Sequence, residues 1–274
     1  MPSSSRRPNQ SHTAEVEQGP PANAPTEVVT LRDVSVDYEG IPALENINLS
    51  VYQDDFVGII GPNGGGKSTL LKVILGLVPP RKGEVQLWGQ PLQRHKQHVG
   101  YVPQYSSFDR DFPITVWNVV LMGRLSHQHL LRTYDSQDKA KAMEALETVG
   151  MADLRKRPIG SLSGGQQQRA FIARALVHDP ALLLLDEPMA NVDSSAQEEF
   201  YSLLSRLRRQ MAIMMVSHDL SAISVNVDKV ACLNKTLYYH GSKEIPTSDI
   251  EAAYGCPVEL LAHGMPHRVL RRHD

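Results

Sequence analysis

The stretch GPNGGGKST, residues 61–69, constrains what this chain can fold into more than any other. Glycine loses more backbone freedom on folding than any other residue, so a run this dense needs a compensating reason. One reading is a flexible surface turn; the other is a loop whose bare N–H groups wrap an anion. The flanks separate the two. FVGII at 56–60 is a short continuous apolar run, as expected of a strand buried on both faces. KSTLLKVILGL then carries leucines and isoleucine at helical spacing, with Gly76 and the Pro79–Pro80 pair marking its end. In that setting Gly61, Gly66, Lys67 and Ser68 match the G-x-x-x-x-G-K-[ST] pattern, and Pro62, Asn63, Gly64 and Gly65 complete the turn. Its amides are predicted to face phosphate oxygens, helped by the positive end of the following helix. Lys67 should reach the β- and γ-phosphates, the Ser68 hydroxyl should bind Mg²⁺, and Thr69 should hydrogen-bond a phosphate oxygen. A nucleoside triphosphate is the expected ligand.

Beyond the loop, strand-like and helix-like segments alternate. VVTLRDVSVDY, ALENINLSVY, GEVQLWG, HVGYVPQ, ALLLLD and MAIMMVSH read as strands, and SGGQQQRAFIARALVH and SAQEEFYSLLSRLRRQ as helices. KVACLNKTLYYHG reads as a hairpin turned at Asn234–Lys235. This alternation implies an α/β fold with a mostly parallel sheet covered on both faces. Residues of about 113–157 are helical in pattern and interrupt the alternation, so they are expected to form an inserted helical subdomain. The proline- and serine-rich start, residues 1–27, reads as a disordered tail without the apolar segment of a secretory signal.

A net charge of −2 argues against a broad nucleic-acid footprint. No apolar run approaches the length of a membrane span. Cys232 and Cys256 form neither a CxxC pair nor a disulfide framework, which suits a reducing compartment. His240, Cys256, His263 and His267 are soft-metal ligands by type, but their spacing fits no structural zinc pattern and ordinary polar packing is the preferred reading.

Two further segments carry chemistry. LLLLDEP, 182–188, puts two acids at the C-terminal end of a buried strand, where open α/β sheets bind their ligands. Asp186 is expected to hold Mg²⁺ through its water shell, and Glu187 to polarise the attacking water. LSGGQQQR, 162–169, offers Ser163 as a helix cap and exposes the amides of Gly164 and Gly165. One nucleotide does not need two anion-binding helix starts from one chain. A second copy, facing its cradle toward the first copy's nucleotide, resolves this.

These motifs, in this order, resemble the ATP-binding subunit of ATP-binding-cassette (ABC) transporters, from about residue 28 to at least 245. GPNGGGKST is similar to that family's Walker A loop, LLLLDE to its Walker B strand, and LSGGQ, with Ser163, Gly164, Gly165 and Gln166, to its signature. The resemblance implies a P-loop NTPase fold with an N-terminal antiparallel β part. It implies ATP and Mg²⁺ as ligands, with Ser68, Gln104 and Asp186 on the metal ion. By the same resemblance Gln104 joins Mg²⁺ to the helical subdomain, His218 touches the γ-phosphate, Asp193 belongs to a dimer-contacting loop and Tyr38 stacks on adenine.

The implied organisation is an ATPase domain over 28–246 with a helical subdomain at about 104–165, followed by a C-terminal extension over 247–274. The implied assembly is a homodimer peripheral to the cytoplasmic face of the plasma membrane. Separate integral membrane permease subunits, and indirectly an extracytoplasmic metal-binding protein, complete it. FPITVWNVVLMG at 112–123, YYHGSKEI and AYGCPVELLAHGMPHRVL resemble the branch that imports zinc, manganese and iron. DEPMANVD departs from that branch, which more often has an aromatic after the proline and a glycine before Val–Asp. The alternative is a soluble cassette ATPase acting as a scaffold in iron–sulfur assembly.

Overall fold

The computed structural model describes residues 26–104, 112–125, 133–189, 194–218, 223, 225–242, 258–263 and 265–270. Two long strands open the fold. β1 (Glu27–Tyr38) and β2 (Ile41–Tyr52) pair antiparallel, with Leu31 opposite Leu49 and Tyr38 opposite Ile41. Glu39 and Gly40 link them with φ of 51° and 82°. Two central residues at positive φ match the right-handed twist of the strands they join. This tight turn holds Tyr38 at the sheet's end. β3 (Phe56–Ile60) starts the second sheet, and β4 (Lys82–Leu87) returns to β1, followed by the short β5 (Gln90–Pro91). The first sheet therefore runs β2-β1-β4-β5, all antiparallel.

The second sheet contains β3, β6 (Val99–Val102), β7 (Leu182–Asp186), β8 (Ala212–Val216), β9 (Lys229–Asn234) and β10 (Thr236–Ser242), in the order β10-β9-β3-β8-β7-β6. Its pairs are parallel except β9–β10. β3, β7 and β8 are buried throughout, and period-two alternation shares them between two cores. Val57, Ile59, Leu182, Leu184, Met214 and Val216 meet the antiparallel sheet and helix α1 (Lys67–Ile74). Phe56, Ile60, Leu183, Leu185, Ile213 and Met215 face the other way, onto the remaining helices. A continuous apolar run is thus explained strand by strand, because both faces of each are covered.

Those helices are α2 (Val116–Leu121), α3 (Ser136–Thr148), α4 (Gly164–Leu176) and α5 (Ser194–Leu207). The segment TVWNVVLMGRL is not one continuous α-helix: after α2 it tightens into a 3₁₀ turn over Met122–Arg124. Gly123 there lies against the Arg174 carbonyl of α4, so close that a Cβ would collide. Arg124 then ties three helices together, its Nε donating to Asp138 at 2.8 Å and its Nη1 to the Val177 carbonyl at 3.1 Å. Thr115 caps α2, and Asp135 and Asp138 form a reciprocal capping box on α3.

In the C-terminal segment, β11 (Val258–His263) and β12 (Met265–Leu270) pair antiparallel, elements the sequence pattern did not predict. Residues 1–25, Asp193 and Cys256 lie outside the described residues. Among the described residues no helix is long and apolar enough to cross a membrane.

Candidate functional site

The glycine loop connects β3 to α1 and is wedged between two strands. Gly61 has φ 153°, and a Cβ on it would strike the Leu233 carbonyl oxygen of β9. Gly66, at φ 92°, would bring a Cβ to 2.5 Å from the Ala43 carbonyl oxygen of β2. Lys235, in the β9–β10 turn, donates its N–H to the Gly65 carbonyl at 2.8 Å and accepts from Glu45 N–H at 2.8 Å. Backbone thus pins the loop from both sides.

Lys67, the first residue of α1, is buried, and its Nζ donates to the carbonyls of Gly61 and Pro62, each at 2.9 Å. Burial lowers its pKa, and the carboxylates of Glu187 and Asp186 pull it back up. Ser68 Oγ donates to Asp186 Oδ1 at 3.1 Å. Asp186 is 4% exposed at the end of β7. Its burial raises its pKa, opposed by the Ser68 hydrogen bond. Tyr101 on β6 is pushed up to about 12, by burial first and then by the Asp186 charge and hydrogen bond.

Glu187 follows at φ 46°, a left-handed conformation uncommon for a non-glycine residue. Its N–H donates to the Val216 carbonyl at 3.0 Å, which prolongs the β7–β8 ladder by one residue. Its Oε2 accepts from Gln104 Nε2 at 2.8 Å and lies 3.5 Å from His218 Nδ1. Glu187 shares this conformation with six other non-glycine residues, Glu39 and Lys235 of the same cleft among them.

A cleft of about 850 Å³ brings Tyr38, Asn63, Gly64, Gly65, Gly66, Lys67, Ser68, Thr69, Gln104, Glu187 and His218 together. Gly61 and Pro62 support Lys67 from behind, and Asp186 supports Ser68. Ser163, Gly164, Gly165 and Gln166 do not line this cleft. They begin α4, where Ser163 Oγ accepts from Gln166 N–H at 3.3 Å and Gln166 Oε1 accepts from Ser163 N–H at 3.2 Å. The sequence reading missed Glu39, Ile41, Pro42, Ala43 and Lys235, which also line the cleft. The turn at Asn234–Lys235 was legible, but no local pattern ties it to a glycine loop so distant in sequence.

The family profile described as ABC transporter matches residues 44–190. The zinc uptake system ATP-binding protein ZurA of Listeria innocua is 44% identical over 220 residues, covering 78% of this chain and 86% of that protein. The zinc transport system ATP-binding protein TroB of Treponema pallidum is 40% identical over 230 residues, covering 83% and 86%. The manganese transport system ATP-binding protein MntB of Bacillus subtilis is 40% identical over 236 residues, covering 85% and 94%. Among solved structures, an ABC transporter chain in an inward-facing conformation superposes with a TM-score of 0.78 at 28% identity, over 90% of this chain and 98% of that one. A glycine loop leading off a mostly parallel sheet, two acids at the end of β7 and this breadth of similarity converge: the chain belongs to the ABC transporter family, as one of its ATP-binding, ATP-hydrolysing subunits.

Proposed function

We propose that the cleft holds ATP with Mg²⁺ between two copies of the chain, and that its hydrolysis drives import of a divalent transition metal through separate membrane-spanning subunits. The observation that carries the chemistry is Glu187, placed at the mouth of the Lys67 cradle between Gln104 and His218. In this reading Tyr38 stacks on adenine. The amides of Asn63 to Thr69 wrap the phosphates, and Lys67 leaves its two carbonyls for phosphate oxygens. Glu187 takes a proton from the attacking water, and His218 hydrogen-bonds the γ-phosphate.

The donors suit Mg²⁺, which favours hard oxygen ligands. Ser68 Oγ and Asp186 Oδ1 are already 3.1 Å apart, and Gln104 keeps its amide oxygen while its nitrogen engages Glu187. Bound there, Mg²⁺ would neutralise charge on the β- and γ-phosphates. Ser163, Gly164, Gly165 and Gln166, exposed or half-buried at the start of α4 apart from buried Gly165, would complete the site of the other copy. Asp193 would contact the partner.

An apolar recess of about 310 Å³ between Thr115, Trp117, Met143, Arg155 and Lys156 would receive a helix of the membrane subunit at the cytoplasmic face. The metal reading rests on relatives named for zinc and manganese transport. An extracytoplasmic metal-binding protein would deliver the ion. The same relatives favour transport over an iron–sulfur scaffold.

A chromosomal Lys67→Ala substitution tests the reading. Zinc or manganese uptake under limiting metal should fall to background, while purified Lys67→Ala protein loses ATP hydrolysis. Uptake of both metals at wild-type rates in that strain would reject the cargo. Normal hydrolysis by the purified variant would reject the site.

A further inference from the structure

At the end of β6 opposite Gln104, three aromatic rings meet on the surface where β4 ends and β6 begins. Trp88 follows β4 at φ 50° and anchors its backbone by donating to the Val28 carbonyl at 3.0 Å. Two 3₁₀ turns come next, Leu92–Arg94 and Lys96–His98, with His95 between them and His98 at their end. His95 N–H donates to the Leu92 carbonyl at 3.3 Å, and His98 N–H to the His95 carbonyl at 3.0 Å. The His98 carbonyl in turn accepts from Ala181 N–H at 2.9 Å, just before β7. Both imidazoles therefore stand on a pinned backbone.

The His95 and His98 ring centroids are 5.9 Å apart, with planes inclined by 38°. Trp88 lies 5.6 Å from His95 and 6.0 Å from His98, closing the triangle. His95 is half-buried and His98 exposed. Two imidazoles bound to one tetrahedral ion, with metal–nitrogen bonds near 2 Å, place their centroids about 5 Å apart. The observed 5.9 Å is within about 1 Å of that separation, and His98, being exposed, has room to turn.

We propose that Trp88, His95 and His98 form a surface site for one late first-row transition cation of the zinc, nickel or copper class. The two imidazoles bind it, water completes its coordination, and the indole walls one side. Neutral imidazole is a ligand for these ions, whereas magnesium and calcium require oxygen donors that neither ring supplies. His98 Nε2 lies 3.4 Å from the Gln97 amide nitrogen, which also donates to the Arg94 carbonyl at 3.2 Å. In the tautomer whose Nε2 carries the lone pair, the cation takes it in place of that amide. The Arg94 guanidinium is engaged with Gln90, its Nη1 donating to Gln90 Oε1 at 3.4 Å. β6 separates this site from Gln104, at roughly 3.3 Å per residue over four residues, so it is distinct from the cleft that holds ATP.

The chain has two tryptophans, so Trp117→Phe leaves Trp88 as its sole indole. In untagged Trp117→Phe protein, Cu²⁺ or Ni²⁺ should quench Trp88 emission saturably at one equivalent. Zn²⁺ should reverse the quench by competition, and a large excess of Mg²⁺ should leave it unchanged. His95→Gln or His98→Gln should each shift the midpoint by about tenfold or more, and the double substitution should abolish the saturable phase. Substituting His263 and His267 should leave the signal intact; its loss there would move the site to the C-terminal segment and overturn the proposal. Quenching that never saturates, or a midpoint unchanged in the double variant, also overturns it. Titrating the chain with both tryptophans present guards against a folding defect of Trp117→Phe. The saturable component should appear there too, and its survival of the double substitution would count equally against the site.

Discussion

Lys67 donates to two carbonyls of its own loop, which fixes its ammonium against the glycine turn where the proposed site would need it. A charged hydrogen bond is worth about 1.5–3 kcal/mol, so Lys67→Ala should weaken ATP binding by at least tenfold. Equilibrium binding of a fluorescent ATP analogue measures this, and an affinity within twofold of the parent would remove Lys67 from the phosphate site. Glu187→Gln separates binding from chemistry. The amide keeps the shape but not the basicity, and loss of general-base assistance should slow turnover roughly 10²–10⁴-fold. Nucleotide should still bind through Lys67 and Ser68, so the variant should collect as an ATP-dependent dimer on sizing columns and remain monomeric with ADP. Near-normal turnover would transfer the basic role to another residue, with His218, 3.5 Å away, the first candidate. These side chains were legible in the sequence because the loop and the strand-end acids carry their own local patterns. The left-handed backbone at Glu187 was not, since its N–H bond to Val216 comes from a strand remote in sequence.

Ser163 serves α4 in a way that can be separated from any contact with nucleotide. Its hydroxyl and the Gln166 side chain cap the helix reciprocally. Ser163→Ala should cost about 0.5–2 kcal/mol in chemical denaturation. Ser163→Asp should restore the cap yet leave ATP hydrolysis depressed, because the carboxylate would repel a partner-bound phosphate. Recovery of both properties would mean that capping is the whole role of this residue.

His178, just beyond α4, carries a different signal. Partial burial and the Arg124 guanidinium, 3.1 Å from its Nδ1, hold its pKa below 6.5. The unfolded chain therefore gains this proton more readily than the folded one, so stability is complete above 6.5 and declines as pH falls toward the depressed value. The residue as a whole is exposed although its ring is partly desolvated, and solvent screening keeps the effect within about 1 kcal/mol. His178→Gln should flatten that part of the pH profile of the denaturation midpoint, and an unchanged slope would put the titration elsewhere. Element types followed from periodicity: β3 was legible as a strand buried on both faces, β7 as a buried strand and β8 as a strand, and the two-faced burial of β7 and β8 is a finding of the structure. The 3₁₀ turn after α2 was not, because it arises where Gly123 presses on α4.

Across the whole molecule, the cleft and the start of α4 are separate features of one chain, and in the proposed assembly the pairing of two copies would make them one site. Lys67→Ala and Gly164→Asp should each abolish hydrolysis alone. A verified mixed dimer should recover activity, because one of its two sites joins an intact loop to an intact helix start. Absence of recovery in such dimers, beside active parental controls, would refute the shared site. Alternation of strands and helices was enough to predict a parallel sheet covered on both faces. It could not give the strand order, in which β9 lies against β3 and brings Leu233 and Lys235 onto the glycine loop.

That placement of β9 has a consequence for heredity. Every single-base change in a glycine codon that alters the residue either introduces a Cβ or stops translation, and at Gly61 any Cβ meets the Leu233 carbonyl oxygen. The gene therefore has no tolerated protein-altering neighbour at this codon, however freely its surface codons drift. Because the obstacle is a main-chain carbonyl, no second substitution at position 233 can remove it. A saturation library under selection for function should hold silent changes alone at codon 61, while codon 64, where a Cβ would meet nothing within 4 Å, should be limited by its φ of 77° instead.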